Sequence, residues 1–334
     1  MSDVLSRQTL AGARLAQARV IVPVRNGGAR WRQAADALCA AVRDPNRVAV
    51  VDSCSTDGSD LVALERGFEL AQIDPREFNH GATRQWAIGR FCAGRAFAIF
   101  LTQDAVLEDR TALETLLEAF DDPVVGAAYG RQLPHHGAGA FEAHMVLFNF
   151  SSHDETRSQT DAGRLGIKAA YLSNSFAAYR LAALGACGGF PSHLIAGEDC
   201  FAAVQLLLAG WRIRYCAAAR VRHSHAYTVL QEMQRHFDWG VMHAQMPELL
   251  RQFGGAEGEG MRFVISELQY LRASAPHQLP LAPLRNAAKY AGYRLGRVYR
   301  WLPPSLCREL SMTKVFWSVR GAAAPRRASS PDRT

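Results

Sequence analysis

The chain has 334 residues, of which 49% are hydrophobic and 21% charged, and its formal net charge is +7. This balance is typical of a globular protein with a large core, in one or two domains. There is no run of 18 or more uncharged apolar residues, so a membrane-spanning helix is not expected. The N-terminal residues contain no apolar segment of the kind found in secretory signals, and we therefore expect a cytoplasmic location. The seven scattered cysteines contain no C-x-x-C pair, which argues against a disulfide framework or a zinc knuckle.

The first part of the sequence alternates between strand-like and helix-like patterns. Short apolar runs predict strands, and apolar residues at helical spacing predict the helices between them. In chain order these are the strand ARVIVPV (18–24), the helix WRQAADALCAAV (31–42), the strand VAVVD (48–52), the helix SDLVALERGFEL (59–70), the strand AQIDPREF (71–78), the helix ATRQWAIGRFC (82–92), the strand AFAIFLTQDAVL (96–107), the helix TALETLLEAFDD (111–122) and the strand VVGAAYGRQL (124–133).

The second part continues less regularly. Residues 151–168 are polar and show no clear period, and we expect a mobile loop over the site there. The strand SNSFAAYR (173–180), the helix CFAAVQLLLAG (200–210) and the strand WRIRYCAAARVRHSH (211–225) follow. Beyond residue 228 the pattern becomes helical and basic, with roughly a dozen Lys and Arg against Glu309 and Asp332 after residue 271.

Alternating strands and helices predict an α/β fold with a mostly parallel sheet covered by helices on both faces. Ligands of such sheets bind beyond the carboxyl ends of the strands. The polar residues after the predicted strands lie at those ends: Arg25 and Asn26, residues 52–55, and residues 102–104. We therefore expect a binding site at this edge.

The glycine patterns that bind phosphates in other α/β proteins are absent: the sequence contains neither G-x-G-x-x-G after the first strand nor G-x-x-x-x-G-K-[ST]. A diphosphate would then be neutralised by a metal ion or by basic side chains. Asp104 supplies a carboxylate, and His223 and His225 supply nitrogens. A divalent cation needs few protein ligands when phosphates and water complete its shell, and histidine suits Mn²⁺ better than Mg²⁺.

The ordered set VIVPVRN, VVDSCSTDGS, FNHGATRQ, TQDA, GED and HSH resembles the inverting nucleotide-sugar glycosyltransferases of family two, which have the GT-A fold. This resemblance covers about residues 18–245. More narrowly, FNHGATRQWAI, LTQDA, YGRQLP, LSNSFAAYR and GYRLGRVYRWLP resemble bacterial rhamnosyltransferases of surface polysaccharide and O-antigen synthesis, as far as about residue 320.

The resemblance implies roles for a donor site and a metal site. Asp52 would accept from the ring N–H of uracil or thymine, and Asp104 would hold a Mg²⁺ or Mn²⁺ ion. The family's D-x-D reads T-Q-D here, so Thr102 replaces the first carboxylate. Either His225, which we favour, or His223 would be a further ligand. The other implied donor-binding residues are Pro23, Arg25, Asn26, Ser53, Ser55, His80, Gly81, Thr83, Arg84 and Gln103.

The resemblance also implies a single-displacement mechanism. Asp199 would be the catalytic base, with a pKa raised by burial beside Glu198, and Arg84 would help the metal to stabilise the leaving diphosphate. Arg131, Gln132, Asn174 and Glu198 would contact the acceptor or the donor sugar. The implied reaction moves L-rhamnose from dTDP-rhamnose to a hydroxyl of a growing, lipid-linked glycan.

Other interpretations of these residues remain open. Asp52 and Asp104 could cap the turns that follow them, the acids at 198 and 199 could serve a helix N-terminus, and the two histidines could be structural. Other functions also fit: a transferase that uses a UDP-hexose, a sugar-phosphate nucleotidyltransferase with PVRNGGAR as its loop, or an inactive sugar-nucleotide-binding module.

Four regions are predicted: an N-terminal extension (1–17), the GT-A domain (18–245), a helical basic C-terminal region (246–321) and a disordered tail (322–334). In the third, KYAGYRLGRVYRWLP (289–303) interleaves basic and aromatic residues, which suits a helix on the anionic inner face of the cytoplasmic membrane. Structural packing is the alternative. Nucleic acid is not expected as a partner, because no nucleic-acid-binding motif accompanies the basic residues. The oligomeric state is left open.

Overall fold

The computed structural model describes residues 12–255 and 257–323. Four strands of the N-terminal half form a parallel sheet, as the sequence predicts: β1 (Ala18–Val24), β2 (Val48–Asp52), β3 (Glu69–Gln72) and β4 (Phe97–Leu101). β3 begins within the stretch predicted as helix and ends well before residue 78, where the predicted strand ends. They lie in the order β3-β2-β1-β4, and every residue of β2 and β4 is buried. Uninterrupted apolar runs of this kind are expected of strands that are covered on both faces.

The remaining strands make the sheet mixed, so the prediction of a mostly parallel sheet is correct only for its first half. β5 (Val106–Leu107), β6 (Val125–Leu133), β7 (Glu155–Arg157), β8 (Phe176–Arg180) and β9 (Arg212–Arg222) extend the order from β4 to β8-β6-β9-β5, with β7 also on β9. β8 is antiparallel to β4 and β6, β5 and β7 are antiparallel to β9, and β6 and β9 are parallel. The apolar pattern of a buried strand is the same in either direction, so the sequence did not reveal the orientation of β8.

Helices cover both faces of the sheet and continue past its last strand. One core cluster includes Phe100, Tyr179 and Phe237, and the cluster on the other face includes Trp31 and Leu113. In the described ranges the helices that follow β1 are α1 (Gly28–Ala41), α2 (Ser59–Glu65), α3 (His80–Phe91), α4 (Ala112–Leu117), α5 (Ala140–Asn149), α6 (Ala162–Leu165), α7 (Leu181–Ala186), α8 (Glu198–Leu208), α9 (Val229–Gln245), α10 (Pro247–Phe253), α11 (Glu257–Ser274), α12 (Ala282–Arg297), α13 (Pro304–Leu310) and α14 (Lys314–Ala323).

Residues 151–168 are anchored to the sheet, contrary to the mobile loop that their polar composition suggested. Within them β7 pairs with β9, and α6 follows directly after a short 3₁₀ turn. The buried Arg157 guanidinium donates to the Tyr129 hydroxyl (2.5 Å) and to the Tyr171 carbonyl (2.8 Å). A polar segment can therefore be ordered when its charged groups are satisfied inside the protein.

The C-terminal helices are docked on the sheet domain through α9 and α12, whose backbones touch. A Cβ atom at Gly292 would lie 2.1 Å from the Met233 carbonyl oxygen, and one at Gly296 would lie 2.1 Å from that of Phe237. The predicted boundary between residues 245 and 246 falls after α9, so the two predicted regions share this close contact. Their division into separate domains stays a prediction.

The chain termini complete the description. Residues 12–16 of the predicted extension are helical, and the first eleven residues lie outside the described ranges. The tail predicted to be disordered begins at residue 322, but Ala322 and Ala323 belong to α14; residues 324–334 lie outside the described ranges. None of the helices that the structure describes combines the length and the apolar content that crossing a bilayer demands.

Candidate active site

The loops that follow β1 and β2 are tied together at the carboxyl edge of the sheet. Asn26 has a φ of 47°, its N–H donates to Ser55 Oγ (2.9 Å), and its Oδ1 accepts from the Thr56 N–H (2.8 Å). The Gly27 N–H donates to Ser59 Oγ (2.9 Å). Asparagine tolerates the left-handed region, and short hydroxyl side chains satisfy loop N–H groups. The edge of the sheet therefore carries a well-fixed rim.

A cleft of about 360 Å³ opens beside this rim. It collects residues that are up to about two hundred positions apart in the sequence, from the ends of β1, β2 and β4, from α3 and α9, and from the segment after β9. Its lining residues are Pro23, Val24, Arg25, Ser53, Phe78, His80, Arg84, Thr102, Gln103, Asp104, Ser175, His223, His225 and Arg235. Six of the predicted donor-binding residues are therefore brought together: Pro23, Arg25, Ser53, His80, Arg84 and Gln103.

Asp104, His223 and His225 form the single group of metal-ligand type found in the described residues, with their ligand atoms within 4.8 Å of one another. His223 Nε2 lies 3.4 Å from Asp104 Oδ1, His225 Nε2 lies 3.5 Å from Asp104 Oδ2, and the two Nε2 atoms are 3.2 Å apart. One carboxylate and two imidazoles fit a divalent cation, and the two nitrogens suit Mn²⁺ better than Mg²⁺. Both candidate histidines join the group.

The protonation of this cluster also suits a metal ion. Burial, and then the neighbouring His223, lower the pKa of His225 to about 4, so its imidazole is neutral at physiological pH. Burial alone would raise the pKa of Asp104, but hydrogen bonding and charge from the two histidines hold it below its usual range. A neutral imidazole and an ionised carboxylate are the forms that bind metals.

Gln132 orients His223 from behind. Its Oε1 lies 2.8 Å from His223 Nδ1, and its Nε2 donates to Ser173 Oγ (2.9 Å). With the amide placed this way, Gln132 Oε1 accepts a hydrogen bond from His223 Nδ1–H, and His223 Nε2 faces Asp104. A partner on the second ring nitrogen is the usual support of a metal-binding histidine. In the structure Gln132 supports the cluster, and its predicted contact with a sugar stays a prediction.

A second charged group, at the start of α8, lies behind the wall of the cleft. The buried Glu198 carboxylate pairs with Arg84 (3.0 Å) and accepts from Asn174 Nδ2 (2.9 Å). The Tyr179 hydroxyl in turn donates to Asn174 Oδ1 (2.7 Å). The charge of Arg84 is therefore shared with Glu198, although its side chain also lines the cleft. Its predicted contact with the diphosphate stays a prediction.

Asp199 is held next to this network and is partly exposed. Its Oδ2 accepts from the Asn174 N–H (3.0 Å) and its Oδ1 from the Cys200 N–H (2.8 Å). Burial and then the charge of Glu198 raise the pKa of Asp199 to about 7, against the two hydrogen bonds, which lower it. A carboxylate that titrates near neutral pH is well matched to general base catalysis.

Several other predicted site residues support the structure around the cleft. Asp52 is fully buried and both its oxygens accept from Ser55, which is the turn-capping role that the sequence left open. Gly81 packs on the Pro191 carbonyl rather than facing the cleft, since a Cβ there would lie 1.8 Å from that oxygen. Thr83 is buried, and its Oγ1 accepts from the Asn79 N–H (3.3 Å). Contact of these residues with a nucleotide stays a prediction.

The four residues assigned to the acceptor or the donor sugar separate into two groups. Asn174 and Glu198 fix and tune Asp199, and Gln132 orients His223, as described above. Arg131 lies in β6 and is not among the residues that line the cleft. Direct contact of any of the four with a sugar stays a prediction.

The sequence missed two features of this region. Arg235, the only arginine of α9, lines the cleft, but it belongs to none of the motifs that carry the family resemblance. His135, which follows Pro134 in a loop after β6, is only 6% exposed and lines a second cleft that shares Asp104 and His225 with the first. A pair of histidines after a proline carries no signal that distinguishes a surface loop from the wall of a cleft.

The structure therefore combines a mixed sheet covered by helices with an Asp-His-His cluster and two adjacent carboxylates near the carboxyl edge of β4. The chain belongs to the family described as "Glycosyltransferase like family 2", whose profile matches residues 4–241. It is accordingly a glycosyltransferase, and the family predicted from the motifs is confirmed.

Two relatives match over most of their length. The O-antigen chain rhamnosyltransferase WbaN of Salmonella anatum is 46% identical over 300 residues, which are 90% of this chain and 95% of the relative. The O-antigen chain rhamnosyltransferase RfbN of Salmonella typhimurium strain LT2 is 44% identical over 300 residues, with the same shares of the two chains.

Solved structures confirm the fold. The mannosyltransferase PcManGT of Pyrobaculum calidifontis, solved with GDP-mannose and Mn²⁺, superposes with a TM-score of 0.54 at 16% identity, over 93% of this chain and 88% of its own. Residues 1–349 of TarS from S. aureus superpose with a TM-score of 0.50 at 18% identity, over 85% of this chain and 91% of that fragment. At these identities the likeness establishes the GT-A fold alone.

Proposed function

We propose that this glycosyltransferase moves L-rhamnose from dTDP-rhamnose to a hydroxyl of a growing O-antigen-type glycan, with inversion at the anomeric carbon. The rhamnosyltransferase activity named for two relatives supports the sugar, since they are 46% and 44% identical and are matched over 95% of their length. The acceptor that we propose is linked to a lipid diphosphate, because glycans of this kind are assembled at a membrane.

The cleft supports the binding of a nucleotide-sugar donor. Pro23, Arg25 and Ser53 line the side near β1 and β2, where the base and ribose are proposed to lie. Gln103 holds this wall, because its Oε1 accepts from the Arg25 N–H (2.7 Å) and its Nε2 donates to the Arg25 carbonyl (3.2 Å). Asp104, together with the two histidines of its cluster, would hold a divalent cation, preferably Mn²⁺, which when bound supplies positive charge for the diphosphate.

Asp199 performs the acid–base part of the proposed reaction. It takes the proton of the acceptor hydroxyl as that oxygen attacks the anomeric carbon from the face opposite the nucleotide. The bond from the anomeric carbon to the phosphate oxygen breaks in the same displacement, and its electron pair leaves with the nucleoside diphosphate. Asn174 fixes Asp199 through its backbone N–H, and burial together with the charge of Glu198 raises the pKa of Asp199.

The single observation that carries this proposal is the pairing of a metal-type cluster at Asp104 with a carboxyl group of raised pKa at Asp199, at the same edge of the sheet. The test is release of nucleoside diphosphate from dTDP-rhamnose and from UDP-hexoses, with and without Mn²⁺, in the presence of a lipid-diphosphate-linked acceptor. Release from dTDP-rhamnose that requires the metal is the expected result. Faster release from a UDP-hexose would show that the donor is a UDP-hexose rather than dTDP-rhamnose. Pyrophosphate as the product would indicate a nucleotidyltransferase. Donor binding without turnover would indicate a binding module.

We further propose that the enzyme docks on the anionic inner face of the cytoplasmic membrane. Part of the predicted interfacial segment faces inward: Lys289 is buried between Glu267 (3.0 Å) and Glu232 (3.7 Å), and Tyr299 is 9% exposed. The residues that remain outside form the outer patch, defined as Leu284, Tyr290, Arg294, Val298, Arg300 and Trp301. Trp301 is 88% exposed and Tyr290 63%.

The composition of the outer patch supports a membrane as its occupant. Aromatic rings prefer the interface between lipid and water, and each arginine near an anionic surface contributes about 1 kcal/mol. Exchanging Trp301 for Ser together with Arg294 and Arg300 for Gln should reduce sedimentation with phosphatidylglycerol vesicles by roughly tenfold or more. Trp86→Ser, at an exposed tryptophan of α3, is the matched control. Unchanged sedimentation of the triple variant would remove this part of the proposal.

A further inference from the structure

The cationic side chains in the cleft are not equally available to an anionic ligand. Arg84 is buried and shares its charge with Glu198 at 3.0 Å. Arg235 also lines the cleft, and in the described part of the chain no carboxylate oxygen lies within 4.0 Å of it. Arg235 is half-buried. A half-buried guanidinium that lines a binding cleft and has no carboxylate partner is well suited to an anionic ligand.

Arg235 is held in place by aromatic side chains rather than by an acid. Its guanidinium carbon lies 5.3 Å from the ring centroid of Tyr227 and 5.2 Å from that of Trp239, and Nη1 donates to the Tyr227 hydroxyl (3.0 Å). Its Nε is buried without a partner among the described residues. Aromatic faces attract a cation without neutralising it, so the guanidinium is fixed in position and keeps its charge for a ligand.

The helix that carries Arg235 starts at a well-defined point. Thr228 caps α9, because its Oγ1 accepts from the Gln231 N–H (3.2 Å) and the Gln231 side chain accepts from the Thr228 N–H (2.9 Å). This reciprocal pair is a capping box. It sets the register of the first two turns, so the position of Arg235 is fixed relative to the segment that carries the metal cluster.

The same aromatic contact connects Arg235 to that cluster. The Tyr227 ring stacks on the His225 imidazole with 5.3 Å between centroids, and His225 Nε2 lies 3.5 Å from Asp104 Oδ2. A single ring therefore separates the guanidinium from a candidate metal ligand. A diphosphate that met the cluster with one oxygen would present its other oxygens to nearby groups in the same cleft.

We propose that Arg235 binds the diphosphate of the nucleotide donor and stabilises the negative charge on the departing nucleoside diphosphate. This inference rests on the proposed function and deepens it, because it assigns a residue to the leaving group. When the bond between the anomeric carbon and the phosphate oxygen breaks, the electron pair moves onto that oxygen, and the adjacent guanidinium stabilises it. A planar guanidinium suits this role since it can donate two hydrogen bonds to one phosphate.

The test compares binding of dTDP and UDP with binding of the free nucleosides thymidine and uridine, all in the presence of Mn²⁺. In Arg235→Gln the nucleoside diphosphate should bind about 10- to 100-fold more weakly, while the nucleoside binds as before, because only the phosphate contact is lost. Arg235→Lys keeps the charge and should recover part of the affinity. Arg90→Gln is the matched control: Arg90 is exposed on α3, lies over the Phe91 ring (5.7 Å) and does not line the cleft.

The outcomes separate this inference from the proposed function. If the wild-type protein binds neither dTDP nor UDP, the proposed function falls and the assignment of Arg235 falls with it. If the wild-type protein binds and Arg235→Gln binds the diphosphate equally well, the assignment alone is overturned. An equal loss for diphosphate and nucleoside would also overturn it, because it would show that Arg235 only packs the wall of the cleft.

Discussion

Replacing Asp199 by asparagine tests the catalytic base and its electrostatic environment in one experiment. Loss of a general base lowers kcat by about 10²- to 10⁴-fold. Donor binding should be almost unchanged, since Asp199 is not among the residues that line the cleft. Asparagine has nearly the same shape as aspartate, so its side-chain oxygen can still accept from one of the two N–H groups, of Asn174 and Cys200, that bind Asp199.

The structure also predicts that this variant is more stable than the wild type at alkaline pH. The pKa of Asp199 is raised from 3.8 to about 7, so the folded protein holds a proton that the unfolded chain releases near pH 4. Ionisation therefore destabilises the fold progressively as the pH rises from about 4 to 7, by about 4 kcal/mol once the group is fully charged. Asparagine avoids this cost but loses one of the two hydrogen bonds, because its amide nitrogen cannot accept; that loss is about 1 kcal/mol.

The free energy of unfolding of Asp199→Asn should therefore exceed that of the wild type by about 3 kcal/mol at pH 8 and by less than about 1 kcal/mol at pH 5. Urea unfolding of the two proteins at both pH values measures the gain, and initial rates of nucleoside diphosphate release measure the activity. Wild-type turnover in the variant would refute the assignment of the base. A variant that is less stable at pH 8 than the wild type would refute the electrostatic argument, even if its activity were lost.

Three further predictions concern the surroundings of the site. In the wild type, kcat/KM should fall about tenfold per unit below pH 7 and level off above it, and Glu198→Gln should move this midpoint to lower pH because a like charge beside Asp199 is removed; an unmoved midpoint in the pH profile contradicts the pairing. Gln132→Leu should weaken Mn²⁺ binding about 10- to 100-fold in calorimetry, since His223 loses its support; unchanged affinity would mean that Gln132 is not needed. Gly296→Ala should cost about 1–3 kcal/mol in urea unfolding, because its Cβ would lie 2.1 Å from a carbonyl oxygen of α9; a fully stable variant would show that the two helices can separate freely.

The part of the site that the sequence predicts well is the part built by strand ends. β1, β2 and β4 are short apolar runs followed by polar residues, and this pattern alone locates the carboxyl edge of a sheet. Arg25, Ser53 and Asp104 line one cleft for that reason. Asp52 shows the limit of the same argument, because a carboxylate at a strand end can point into the cleft or close its own turn, and only the coordinates show that both oxygens accept from Ser55.

The sequence of the C-terminal helices is ambiguous because a membrane-binding surface and a surface packed inside the protein can contain the same residue types. Basic and aromatic residues at helical spacing suit a membrane surface, but here Lys289 and Tyr299 are buried in the protein. Gly292 and Gly296 indicate which face of the helix packs inward. Glycines four positions apart share one face of a helix, and such a face lets another backbone approach closely. That signal predicts an inward face for α12 and leaves Tyr290 and Arg294 outside.

Replacement of the first carboxylate of D-x-D by Thr102 has a consequence for the charge of the cleft. A divalent ion held by two carboxylates would have its charge cancelled by its protein ligands. Asp104 with two imidazoles, of which His225 is neutral because burial lowers its pKa to about 4, would leave a net positive charge facing the ligand. Such a site binds its metal less tightly, because a carboxylate attracts a hard cation more strongly than a hydroxyl does. It attracts a diphosphate more strongly, however, and Arg235 adds a second positive charge beside it. In the proposed mechanism, weaker binding of the metal would accompany stronger stabilisation of the leaving group, and the metal and Arg235 would share that electrostatic role.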